Sequence, residues 1–332
     1  MNAITNLRFL ASATCLVLMF ASAVGGQSTA TLSGPVLGYV FNAPEGKLRP
    51  LRGVLGSATI GDPLPFDFVI TQAWTLDKSH VVVSTSATSE LLALSLETSP
   101  LSVIAISRAP SDPSQASASV HGKAAAFYYA ASQRIEIVTG LPGSPSVSQS
   151  IDLSFLRGQP LTHVAVSDDG TLVVYSIAEA DRESLYVWTP SASSRFVFSV
   201  VSVGGLAIAA NGAAIVTDRG ANEVFAIPDA RNAAVSHFLL GERDGVSRPA
   251  GVAISTNNEI YIANTGSANL VTLDSSGRLL RTQDCNCDIS GLNLLRDSVF
   301  RLTDGLERAV YLLEASPSGD RILFIPALRL SQ

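Results

Sequence analysis

Six polar residues occupy comparable points of a repeating pattern and are the groups through which this chain could do chemistry: Gln72, His163, Glu179, Asp218, Asn264 and Asp304. Glu179 (with Asp181 beside it), Asp218, Asn264 and Asp304 each follow the second apolar run of a unit, so successive units offer an oxygen donor at one shared loop position. Carboxylate and amide oxygens are the donors that a hard cation such as Ca²⁺ prefers, which makes Asp218, Asn264 and Asp304 a candidate metal set. Asp and Asn also cap turns by bonding their own backbone, and turn residues recur in any repeat protein. Both readings stand, turn capping first.

Gln72 and His163 share a second position, immediately before the first apolar run, where the other units carry Ala116, Gly205, Gly251 and Gly291. His163 could act as a base or ligand, or as a hydrogen-bonded structural residue. His80, His121 and His237 fall at unrelated points, so no histidine cluster is implied.

Cys285-Asn-Cys287 leaves three states open: a local disulfide across one spacer residue, free thiols, or metal ligands with Asp284 and Asp288 as the close partners. Those two carboxylates disfavour thiolate by like-charge repulsion, which argues against a cysteine nucleophile. No G-x-S-x-G, H-E-x-x-H, P-loop or EF-hand pattern occurs, and no catalytic residue can be assigned.

The elements that must position these groups come from an internal repeat. Five segments align: Ala73–Ser79, Val164–Gly170, Leu206–Gly212, Val252–Asn258 and Leu292–Ser298. A sixth, Ser117–Lys123, fits less well. Each is a short alternating apolar strand and a polar turn, followed by a second apolar run such as His80–Ser84 or Glu259–Ala263, which is the signature of a β-hairpin. The units begin near residues 72, 116, 163, 205, 251 and 291, at spacings of 44, 47, 42, 46 and 40. A third strand (Leu270–Leu273), a turn (Ser275–Gly277) and a fourth strand (Arg278–Thr282) complete a unit. The last unit repeats them with Ala309–Leu313, a Pro317–Gly319 turn and Arg321–Ile325. The expected fold is all-β, a β-propeller of four-stranded antiparallel blades. Val36–Phe41 and Lys47–Arg52 read as the outer two strands of a further unit, with Phe66–Thr71 as a possible addition. The ring therefore has six or seven blades, closed by pairing the chain ends. Trp74 and Trp188 are expected in blade core.

Arg248-Pro-Ala-Gly-Val-Ala-Ile-Ser255, Glu259–Gly266 and Asn269–Asp274 resemble an NHL-type repeat, and Gly205–Ile227 resembles it more loosely. Val166–Thr171 is similar to the turn of WD40-like propellers. Taken together, the chain resembles exported bacterial propeller proteins. The resemblance also implies, through gluconolactonase-like propellers, a Ca²⁺ ring as an alternative use of the loop acids. Gly205, Gly251 and Gly291 depart from that family by leaving the channel edge bare.

Hydrophobic residues make up 47% of the 332-residue chain and charged residues 15%, with a net charge of −6, which excludes both disorder and a basic nucleic-acid binder. Residues 1–26 read as a signal peptide: Arg8, an apolar run over Phe9–Val24, and cleavage after Ala23 or Gly26. At 16 residues that run is shorter than the ~20 a membrane helix needs. Residues 27–332 are then expected as one propeller domain, 27–71 being the N-terminal hairpin region, in the periplasm or outside the cell and monomeric. The favoured function is a binding or interaction scaffold for a protein, small-molecule or carbohydrate ligand. The alternative is a Ca²⁺-dependent hydrolase or lactonase.

Overall fold

A computed structural model describes residues 34–98, 100–232, 235–316 and 319–328; the signal-peptide expectation and part of the Pro317–Gly319 turn lie outside these. Seven antiparallel sheets form, each from strands consecutive in sequence. Blade 1 holds β1 (Val36–Asn42), β2 (Lys47–Val54) and β3 (Ser57–Ile60). Blade 2 holds β4 (Ile70–Thr75), β5 (His80–Thr85), β6 (Glu90–Ser95) and β7 (Ser102–Pro110). In blade 3 these are β8 (Gln115–Ala118), β9 (Ala124–Tyr129), β10 (Arg134–Thr139) and β11 (Ser146–Asp152). Blade 4 runs β12 (Leu161–Val166), β13 (Val173–Ala178), β14 (Glu183–Thr189) and β15 (Ala192–Val200). Blade 5 runs β16 (Val203–Ile208), β17 (Ala214–Asp218), β18 (Glu223–Ile227) and β19 (His237–Leu240). Blade 6 comprises β20 (Pro249–Ile254), β21 (Ile260–Asn264), β22 (Asn269–Leu273) and β23 (Leu279–Asp284). Blade 7 comprises β24 (Asn293–Arg296), β25 (Val299–Arg301), β26 (Val310–Glu314) and β27 (Arg321–Ile325).

Apolar side chains alternate along each strand, so one sheet faces its neighbour on either side. The result is seven buried clusters, one at every blade junction. Ala165, Val174 and Val187 of blade 4 meet Val203, Val216 and Ile227 of blade 5. At the last junction Leu295, Val299 and Leu312 of blade 7 meet Leu37, Val40 and Leu51 of blade 1, and the ring closes there. The other junctions are built in the same way.

Three expectations for the N-terminal region are corrected. Val36–Asn42 is the innermost strand of blade 1, and β2 and β3 follow it outward, so the hairpin supplies inner strands. Four consecutive buried residues, Leu37–Val40, suit an axial strand better than a rim strand. Phe66–Thr71 is no separate strand: Ile70 and Thr71 begin β4, while Phe66 packs into the junction of blades 1 and 2. Closure uses face-to-face packing of blades 7 and 1, and no described sheet mixes strands from the two chain ends.

One feature of the inner strands was invisible in the sequence. The pairing of inner with second strand slips by one residue at the same point in five blades: between Val36 and Gly38, Ile70 and Gln72, Leu161 and His163, Val203 and Gly205, and Pro249 and Gly251. Such a bulge bends a strand and re-aims its side chains. In blades 5 and 6 it coincides with very close approach to the next inner strand. A Cβ on Gly205 would lie 2.7 Å from the Val252 nitrogen, and one on Gly251 would lie 2.9 Å from the Leu292 nitrogen. Glycine is required there by space.

Candidate axial site

The inner strands enclose two abutting cavities along the ring axis. The first, about 350 Å³, lies where the inner strands begin. Its polar lining is Gln115, Ser117, His163, Ser290, Asn293 and Asp304, and Gly204, Gly205, Gly251 and Gly291 also line it. The second, about 290 Å³, lies further along and takes residues from all seven inner strands, including Phe41, Trp74, Val166, Ile208, Ile254 and Leu295. Ala116, Ser117, Leu206, Val252, Leu292 and Asn293 line both, so the two share a wall. The axis therefore grades from a strongly polar mouth to an interior whose surface is about equally polar and apolar.

Of the six residues singled out from sequence, His163 and Asp304 line the mouth together. His163 stands just after the bulge of β12, and its Nδ1 is buried without a hydrogen-bond partner. Glu183 Oε2 is 4.0 Å away, beyond hydrogen-bonding reach. That carboxylate accepts instead from Thr162 Oγ1, the bulged residue, at 2.5 Å. Burial pushes the His163 pKa below its ordinary value, partly offset by Glu183. Burial thus favours the neutral imidazole, with Nδ1 left unpartnered.

Gln72 occupies the equivalent post-bulge position in blade 2, and its Oε1 is likewise buried without a partner. The loop-start residues are engaged locally. Asp218, 3% exposed, accepts from the backbone nitrogens of Val201, Ser202, Gly220 and Ala221. Asn264 is fully buried; its Oδ1 accepts from the Ser247 nitrogen, while its Nδ2 donates to Gly245 O and Asn269 Oδ1. Glu179 accepts from Ser184 Oγ at 2.6 Å, and Asp181 pairs with Arg182 at the surface. Among the described residues, no three His, Cys, Asp or Glu side chains converge as a metal-binding group. Cys285 and Cys287 are joined as a disulfide, with Cys285 packed into the junction of blades 6 and 7.

The structure adds Arg301, which sequence reading passed over. It lies on β25 opposite Asn293, lines the inner cavity, and reaches Asp304 with NH2 at 3.4 Å. Its Nε is buried without a partner. Burial pushes the guanidinium pKa below its ordinary value, and Asp304 only partly offsets this. A sequence signal did exist. The register positions equivalent to Arg301 carry Val82, Ala126, Val174, Ile215 and Tyr261 in blades 2 to 6. The positions equivalent to Asn293 carry Trp74, Ser117, Ala165, Ala207 and Ala253.

No protein-family model matches this chain, and no curated protein matches it. Solved structures do. A functionally unknown protein from Desulfotomaculum acetoxidans is 14% identical, with a TM-score of 0.57 over 88% of this chain and 95% of that one. A protein from Lactobacillus plantarum is 10% identical, with a TM-score of 0.55 over 85% and 92%. Virginiamycin B lyase from Staphylococcus aureus is 12% identical, with a TM-score of 0.51 over 84% and 91%. At these identities the likeness shows a shared propeller fold.

Proposed function

We propose that this protein is an exported binding propeller that takes a small organic ligand into its axial channel. The observation that carries the reading is the pair of abutting axial cavities, about 350 and 290 Å³, of the size that holds small molecules. Their lining is suited to that role: polar side chains at the mouth orient a ligand, and the mixed inner wall covers its body. The loop residues Asp218 and Asn264 hold backbone in place. That engagement favours binding over metal-assisted hydrolysis. Export rests on the N-terminal Arg8 and apolar run; among the described residues no helix is long and apolar enough to cross a membrane.

The test is a panel of small acids, amines, alcohols and monosaccharides screened by saturation-transfer NMR. The purified protein is compared with Ser117→Trp, which places an indole where the two cavities meet. At least one class should bind and lose its signal in Ser117→Trp, whose folding is checked by its melting curve. Binding unaffected by that substitution, or no binding by any class, would sink the proposal. So would stoichiometric Ca²⁺ with a melting shift abolished by Asp218→Ala, which points instead to the hydrolase.

A further inference from the structure

We propose that Arg301 is the anion-recognition residue of the axial site, and that the ligand is a small organic acid: its carboxylate meets Arg301 while its apolar body lies along the inner wall. This rests on the axial-binding reading above and names its ligand class.

Three observations converge on it. First, Arg301 is the one charged residue lining the inner cavity among the described residues, so a ligand there meets a positive field. Second, its hydrogen-bonding capacity is unfilled. A guanidinium offers five N–H donors; here Nε is buried without an acceptor, and the single contact is to Asp304, whose side chain is 66% exposed. A buried charge without adequate pairing is costly, and an incoming carboxylate would supply acceptors to the outer guanidinium nitrogens NH1 and NH2. Third, Arg301 and Asn293 face each other across β24 and β25 at a level where blades 2, 4, 5 and 6 carry apolar or aromatic residues and blade 3 carries Ser117 opposite Ala126. Two polar departures at one register level of one blade, both on the axis, make a local donor pair.

Blade 1 supplies the control. An arginine on its second strand, Arg49, lies opposite Val40 and is fully engaged: Nε and NH2 donate to Glu45 at 2.9 Å each, and NH1 donates to Gly61 O at 3.0 Å. Within its own blade Arg301 has only the 3.4 Å contact to Asp304 among the described residues. The singly charged complement follows from the charge count, since one cation already in contact with Asp304 does not neutralise a dianion such as phosphate. The apolar body follows from Phe41, Trp74, Leu206 and Leu294, apolar lining residues that keep part of their surface accessible.

Titrations with octanoate, octan-1-ol and octylamine discriminate the head group at constant tail. Tryptophan fluorescence reports them, because Trp74 lines the inner cavity and the chain has only two tryptophans. Octanoate should bind at least tenfold more tightly than octan-1-ol, with octylamine weakest. Arg301→Met should remove the difference between acid and alcohol while leaving the alcohol where it was. Alcohol or amine binding as tightly as the acid, or an acid preference that survives Arg301→Met, overturns the assignment. If uncharged compounds of the NMR panel bind in a Ser117→Trp-sensitive way while octanoate does not, the acid inference fails alone. Binding indifferent to Ser117→Trp fails the axial reading itself.

Discussion

Blades 1 and 7 stand side by side where the ring closes, and each carries an arginine on its second strand. Arg49 is locked by a two-pronged pair with Glu45 and a backbone carbonyl, while Arg301 keeps an unpartnered Nε at the channel. The same division runs through the loop carboxylates. Asp218 is sealed under four backbone N–H groups, whereas Asp304 is exposed at the mouth. Identical residue types thus serve the fold at one place and are left free at another. What separates them is the supply of local partners.

Breaking the engaged member of each pair should cost stability, and breaking the free member should not. The largest loss is expected for Arg49→Met, about 3 kcal/mol, because Glu45 would be stranded partly buried; denaturant midpoints read it. Asp218→Ala should cost about 2 kcal/mol by orphaning buried backbone donors, against less than about 0.5 kcal/mol for Asp304→Ala. Equal losses in the two aspartate variants would erase the distinction.

A smaller effect separates His163 from the surface acids by pH. The folded-state pKa of His163 lies below the unfolded value of about 6.5. The unfolded chain therefore takes up the proton first. The stability conferred by a neutral imidazole is present above about pH 6.5 and is lost as pH falls below it. Melting temperatures should decline through that window, and His163→Asn should flatten the decline. Carboxylates such as Asp274, held at about 2 by hydrogen bonds from Ser276 and Arg278, act at lower pH, below the ordinary Asp value of about 3.9. The smallest expected change is for Arg301→Met. Removing an inadequately paired buried charge should be neutral or stabilising by up to about 1 kcal/mol, opposite in sign to Arg49→Met. A loss as large as that of Arg49→Met would place Arg301 among the structural residues.

The blade repeat was readable because strand periodicity and turn chemistry are local. The second runs at His80, Ala124 and Val299 begin β5, β9 and β25 at those residues. The N-terminal hairpin was misassigned to the rim because which strand lies on the axis depends on ring closure, a contact between residues some 250 positions apart such as Leu37 and Leu295. The candidate site was legible only in part. His163 stood out against glycines at its repeat position, and it does line the mouth. Arg301 was hidden because an arginine beside Phe300 and Leu302 reads as a strand residue with a solvated end. Its isolation is a three-dimensional fact, created by the absence of a Glu45 equivalent. The bulges that aim Gln72 and His163 also left no sequence mark, since the displaced residues Thr71 and Thr162 are ordinary strand formers.

The central claim is that ligands are held on the axis. Its rival is the outer rim, where Phe196, Phe238 and Phe324 are each more than half exposed on the fourth strands of blades 4, 5 and 7. Intermolecular NOEs from bound octanoate to methyl-labelled protein decide between them. The account predicts contacts to the methyl groups of Leu206 and Leu294, with the ligand carboxylate end nearest Arg301. Contacts confined to the rim, with silence from those inner-wall methyls, would contradict it.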